Sequence, residues 1–211
     1  MSRKILRGEV LAPGIGSGTV CFIDAEKDIS LFMKKGGVQD IGLEIERLER
    51  ETEAVIADLS EAVNLLRLQS YNEEAEIVQT HILLLKDEEF RKKIREHIRI
   101  HGTAAEIALE HVLQEMVDLF ERSQDIVFSE KTTDIRDIVL RLKRKLAKKN
   151  AALFEDSLKG ISSPVVAIKE LLPSHVLEAK ELHVRAFIVN AGTPLSHAAI
   201  LAKSFGIPVL K

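Results

Sequence analysis

Between residues 42 and 149 apolar positions recur with a helical period, and towards both ends of the chain that period is lost. Leu43, Leu48, Val55, Ile56, Leu59, Val63 and Leu66 return roughly at i, i+3, i+4 and i+7, which predicts a long amphipathic helix over about 42–69. Asn72-Glu-Glu-Ala-Glu opens a second helix, with Ile77, Val78, Ile82, Leu84 and Leu85 on its apolar side. A third begins at Asp87 and turns Phe90, Ile94 and Ile98 inward. It stops at His101-Gly102, where glycine suits a left-handed C-terminal residue. Thr103-Ala-Ala-Glu106 has the form of a capping box for a fourth, with Ile107, Val112, Leu113, Met116, Leu119 and Phe120 inward. A fifth spans 134–148 through Ile135, Ile138, Val139, Leu142 and Leu146. Helices of this length joined by short turns predict an antiparallel bundle.

The ends read as strands. Up to Ile23 the β-branched residues are interrupted by Ala12-Pro-Gly-Ile-Gly-Ser-Gly18, giving strand, glycine-rich turn and strand. Pro164-Val-Val-Ala-Ile168 and Ala186-Phe-Ile-Val-Asn190 are continuous apolar runs of the kind that form buried strands. A turn and helix over 171–180 separates them, a last helix covers 196–205, and Ile207-Pro-Val-Leu210 starts another strand. The two ends therefore predict one α/β unit, residues 1–30 with 150–211, and the helical bundle over 35–149 is inserted into it. A closing strand with no turn after it predicts that the sheet or the protein continues past Lys211.

Composition narrows the function. The 30 basic and 33 acidic residues nearly cancel, no basic block is interleaved with aromatics, and Trp is absent, so nucleic acid is not an expected partner. A single cysteine, Cys21, excludes an internal disulfide or a Cys-rich zinc site. Its apolar surroundings, Gly18-Thr-Val-Cys-Phe-Ile23, predict a buried strand residue rather than a reactive thiol. The first residues lack the apolar core of a signal peptide, and no window approaches the about 20 apolar residues of a membrane span. A soluble cytoplasmic protein without membrane contact is expected. His175, His183 and His197 are too widely spaced for a familiar metal motif, and no metal is expected on this chain.

One imidazole carries most of the candidate chemistry. In Asn190-Ala-Gly-Thr-Pro-Leu-Ser-His197-Ala-Ala-Ile, His197 falls where a small-residue loop meets the first turn of a helix. Backbone N–H groups at a helix start point at anions, and the macrodipole favours negative charge there. A phosphoryl group on His197 would be stabilised where it formed, with Ser196 as cap or hydroxyl donor.

The string from Gly192 to Pro208, Gly-x-x-x-Ser-His-Ala-Ala-Ile-x-Ala-Lys-x-x-Gly-Ile-Pro, resembles the phosphohistidine signature of the phosphoenolpyruvate-utilising enzymes. Within that group the chain is similar to the N-terminal half of the enzyme I family of the bacterial sugar phosphotransferase system. Three further segments carry the narrower resemblance: Leu11-Ala-Pro-Gly-Ile-Gly-Ser-Gly18, the histidine-containing stretch from Ile77 to Phe90, and Asp134-Ile-Arg-Asp-Ile138. The resemblance implies an α/β phosphohistidine (swivelling) domain with an inserted all-α helical subdomain. It implies that His197 is the nucleophile, phosphorylated on Nε2, with Ser196, Thr193 and Gly192 positioning it. Phosphoenolpyruvate would bind with Mg2+ in a separate C-terminal domain, and the full-length enzyme would be a homodimer. A histidine phosphocarrier protein (HPr) would dock on the helical subdomain, near His81, Glu73, Glu74, Asp87 and Glu89. An acidic surface of that kind would steer a basic carrier. Two departures stand out: Pro194 and Leu195 replace the usual arginine and threonine, and Val176 stands where a threonine is common. The alternatives are a phosphohistidine domain of a phosphoenolpyruvate synthase or dikinase, which would not need the inserted bundle, and a non-catalytic helical interaction module.

Overall fold

The computed structural model describes residue 5 and residues 7–24, 37–123, 126–147 and 153–211, without the side chains of 120–123, 126–130 and 156. The chain divides into two compact units, Met1–Ala25 with Ala152–Lys211, and Glu26–Ala151.

The second unit holds helices α1 (Ile41–Leu68), α2 (Asn72–Lys86), α3 (Glu88–His101), α4 (Ala105–Ser123) and α5 (Ile126–Leu146). Asp40 caps α1 by accepting from Leu43 N at 3.0 Å, and Asp87 caps α3 by accepting from Phe90 N at 2.8 Å. Gly102 ends α3 in the left-handed region at φ 59°, as the sequence predicts. Helix α1 packs against α2 and α5, and α4 against α3 and α5. Leu59, Leu85, Ile94, Ile98, Leu109, Ile138 and Leu142 fill the space between them. Each such side chain stabilises the unit by about 1.5–3 kcal/mol through loss of apolar surface to water.

Four expectations for this unit need correction. Helix α5 starts at Ile126, eight residues before the predicted start at Asp134. The capping box at Thr103 does not form, because Glu106 is turned to Arg47 and the first amide of α4, Ala105 N, is bonded by Glu44 from α1 at 2.7 Å. Leu119 is exposed while Ala108, Leu109 and Val117 face inward, so the buried stripe of α4 is rotated from the one read in the sequence; Phe120 lies outside the described side chains. Leu43, grouped with the inward stripe of α1, is also exposed.

The first unit is built on a five-stranded sheet among the described residues, in the order β1-β5-β4-β3-β2. Its strands are β1 (Val10–Ala12), β2 (Thr19–Phe22), β3 (Pro164–Glu170), β4 (Ala186–Ala191) and β5 (Val209–Leu210). Strands β2 to β5 are parallel, and β1 runs antiparallel to β5. The two N-terminal strands thus sit on opposite edges, and residues 13–18 cross the whole sheet between them. A Cβ on Gly14 would lie 2.7 Å from Pro208, one on Gly16 2.4 Å from the carbonyl oxygen of Arg185, and one on Gly18 1.7 Å from that of Ser163. Those residues immediately precede β5, β4 and β3. The alternating glycines therefore let the backbone lie directly on the entry ends of three successive strands.

Helices α6 (Glu155–Leu158), α7 (Pro173–Glu181) and α8 (His197–Ser204) complete the unit, and α7 packs against α8. The short α6 is not foreseen from sequence. Phe154, Val166, Val176, Phe187 and Leu201 form the core. Cys21 is half-buried on β2, not buried as predicted, because among the described residues β2 has a strand neighbour on one side only.

Candidate functional site

The parallel strands end opposite the glycine crossing, and the loop after β4 carries His197 at that end. Gly192 leaves the strand at φ 135°, a conformation that favours glycine, and a Cβ there would meet Leu11 Cδ1 at 3.1 Å. The chain then closes on itself: Thr193 O accepts from Ser196 N at 3.2 Å and from Ser196 Oγ at 3.0 Å. Ser196 Oγ accepts in turn from Ala199 N at 3.2 Å, so Ser196 is the N-cap and His197 the first residue of α8. His197 is half-buried, held between the buried Ala198 and Ala199 on one side and an exposed loop on the other. Pro194 and Leu195 form the tip of that loop, and Leu195 is 70% exposed.

Sequence reasoning missed two residues here. Lys211 Nζ donates to Gly192 O at 3.2 Å and pairs with Glu9 Oε2 at 2.5 Å, so the base of the loop is tied to both β1 and β5. No signal in the local sequence marks them, because they meet only through the β1–β5 register.

The five residues singled out in the helical unit have different fates. Glu73 is exposed in the first turn of α2, and Asp87 and Glu89 are exposed at the start of α3. Asp87 and Glu89 border a cavity of about 240 Å³ lined also by Leu84, Phe90, Lys93, Met116, Ile135 and Ile138. His81 and Glu74 are buried, at 1% and 8% exposure, so His81 presents almost no surface and Glu74 little. His81 lies on the inner face of α2, with Nε2 3.3 Å from Asp134 Oδ1 and Nδ1 3.5 Å from Asp137 Oδ2. The Asp-Ile-Arg-Asp segment is therefore the partner of the α2 histidine inside the bundle.

Among the described residues no three His, Cys, Asp or Glu side chains are grouped to hold a metal ion, and residues 190–197 include no carboxylate. The loop does not fit Mg2+. Among the described residues no helix is long and apolar enough to cross a membrane.

A histidine heading a helix at the exit end of a parallel sheet, with a helical unit inserted in the same chain, defines a class that comparison with known proteins makes specific. Residues 7–131 match the family described as PEP-utilising enzyme, N-terminal, and residues 162–210 that described as PEP-utilising enzyme, mobile domain, where PEP is phosphoenolpyruvate. The chain belongs to the PEP-utilising enzyme family. It is 28% identical over 98% of its length to the phosphoenolpyruvate-protein phosphotransferase of Buchnera aphidicola subsp. Baizongia pistaciae. It is 32% identical over 85% of its length to that of Priestia megaterium. It covers 35% and 31% of those proteins, so it spans about a third of the relatives it matches. A solution structure of an enzyme I protein shares the fold, with a TM-score of 0.65 at 23% identity over 97% of this chain and 81% of that one.

Proposed function

We propose that this chain is the phosphohistidine part of a phosphoenolpyruvate–protein phosphotransferase and that His197 is its covalent carrier. The observation that supports this most is the place of His197: first residue of α8, after the Ser196 cap, within the segment matching the mobile domain. In this reading Nε2 attacks phosphorus in line. The new N–P bond forms as the P–O bond of phosphoenolpyruvate breaks and pyruvate leaves as its enolate, to be protonated to the ketone, and the first turn of α8 favours the charge that arrives. Ser196, Thr193 and Gly192 set the ring's position through the loop. Phosphoenolpyruvate would be bound, with Mg2+, by a C-terminal domain of the full-length protein.

The second partner is an HPr-like carrier protein docked on the helical unit. The cavity between α2, α3, α4 and α5 supports this choice, because its apolar floor suits an apolar anchor, and Asp87 and Glu89 on its rim, set against the single Lys93, leave a net negative edge for a basic residue beside that anchor. In a cell such a chain would work in the cytoplasm, at the head of a sugar phosphotransferase system.

The test uses histidine carriers labelled with radioactive phosphate. Transfer to this chain should give an acid-labile, alkali-stable label that His197→Ala removes. Absence of label with carriers that phosphorylate a full-length relative would overturn the reading.

A further inference from the structure

We propose that Lys211 is a positioning residue for the His197 loop, acting through the Gly192 carbonyl and held in place by Glu9. The proposal rests on the phosphohistidine reading above and adds to it a residue that the signature does not include. Lys211 Nζ reaches Gly192 O at 3.2 Å and Glu9 Oε2 at 2.5 Å, while the two backbones bond each other in both directions, Glu9 N to Lys211 O at 2.7 Å and Lys211 N to Glu9 O at 2.8 Å. The ammonium is therefore fixed at both ends of its stem.

This arrangement is poorly explained as a source of stability. The side chains of Lys211 and Glu9 are 33% and 51% exposed, and ion pairs so open to water add little to folding. Its effect on the loop is more direct. Gly192 sits at φ 135°, where a glycine backbone has wide freedom, and the peptide that follows could turn without steric cost. A charge-assisted hydrogen bond to that peptide's carbonyl removes the freedom. From there the chain of constraint is short: Thr193 O receives Ser196 N and Oγ, and Ser196 Oγ receives Ala199 N, which sets the first turn carrying His197. The same bond draws electron density from the Gly192–Thr193 peptide, which makes its N–H a stronger donor.

Lys211→Met keeps the stem and removes the charge, and Lys211→Arg restores it. Two measurements apply to the whole chain. Amide exchange at Ser196 and Ala199 should be about tenfold faster in Lys211→Met and near wild type in Lys211→Arg. With a labelled histidine carrier as donor, the maximal rate of label transfer to His197 should fall by roughly tenfold in Lys211→Met, with half-saturation by the carrier unchanged, and Lys211→Arg should recover it. Glu9→Gln should move both readouts in the same direction by a smaller factor. Wild-type exchange and transfer in Lys211→Met would overturn the proposal. So would a loss in Lys211→Met that Lys211→Arg does not recover, because the charge would then not be the cause. If the wild-type chain accepts no label, the phosphohistidine reading fails, and the exchange measurement alone decides whether Lys211 holds the loop.

Discussion

Arg47 Nη2 donates to Glu106 Oε2 at 2.7 Å and to Glu44 Oε1 at 2.7 Å, joining two buried carboxylates through one guanidinium. Arg47 Nη1 also reaches Leu146 O at 3.2 Å, so a single side chain of α1 holds the start of α4 and the end of α5. Burial works against the charge on Arg47, but the hydrogen bonds to Glu106 and Glu44 outweigh it and raise its pKa above the ordinary value. Removing one carboxylate leaves the guanidinium half-satisfied. Glu106→Gln should destabilise the helical unit by about 3 kcal/mol, measured as a lower urea midpoint by circular dichroism. An unchanged midpoint would show that the knot contributes nothing.

A second cluster should make the same unit sensitive to acid. His97 packs its ring against His101 and His111, each 4.4 Å away between centroids. Burial lowers the His97 pKa, the charges of His111 and His101 lower it further, and Glu115 partly opposes them. The folded state therefore takes up its proton at lower pH than the unfolded state, whose pKa is about 6.5. Above that value His97 contributes no pH dependence. As pH falls through it the unfolded chain binds the proton first and stability is lost, until the folded ring also titrates. His97→Gln should reduce the drop in melting temperature between pH 7.5 and pH 5, as read by a thermal melt at each pH. Parallel curves for wild type and variant would rule this out.

The glycines divide into two kinds that one pair of variants can separate. Gly102 is at φ 59° with nothing within 4 Å of an added Cβ, so Gly102→Ala should cost only about 1 kcal/mol of backbone strain. Gly18 needs no unusual φ, but its Cβ would sit 1.7 Å from Ser163 O, between two backbones that cannot give way. Gly18→Ala should lower the melting temperature of the α/β unit far more than Gly102→Ala lowers that of the helical unit. Equal, small effects would mean that the crossing at residues 13–18 does not need glycine.

Carrier affinity should follow exposure, not the sequence pattern. Glu89 is exposed on the rim of the cavity, and Glu89→Lys should weaken carrier binding roughly three- to tenfold at low salt, with the difference shrinking as salt rises. His81 is enclosed by Asp134 and Asp137, so His81→Asn should lower the melting temperature and leave the affinity of the folded fraction unchanged. Calorimetric titration with the carrier reads both. A large affinity loss in His81→Asn without loss of stability would contradict the buried assignment.

The long helices were legible because burying one stripe of an amphipathic segment requires a 3.6-residue period: α1 and α3 begin and end, and α2 begins, within about one residue of the predicted points. Where the reading failed, a distant partner had overruled a local pattern. Thr103 and Glu106 have the spacing of a capping box, yet Arg47, 59 residues away from Glu106, holds the carboxylate. The early turns of α5 are rich in weak helix formers, such as Val127, Thr132 and Thr133, and propensity gave no reason to extend it back to Ile126. The place of His197, at the head of α8 after the Ser196 cap, was legible from the loop around it. Lys211 was not, since its role follows from which strand lies beside β5.

The sheet order also fixes when the two units can be completed. Strand β1 finds its partner only at residues 209–210, and β2 only at residues 164–167, whereas each helix of the inserted unit meets another within residues 41–146. On a chain emerging from the ribosome the helical unit can finish while both N-terminal strands still wait with their edges unpaired. Contacts of such long sequence separation form late. A slowed or interrupted synthesis would then leave folded helices beside an open α/β unit, and the first two dozen residues would be the segment most in need of a chaperone.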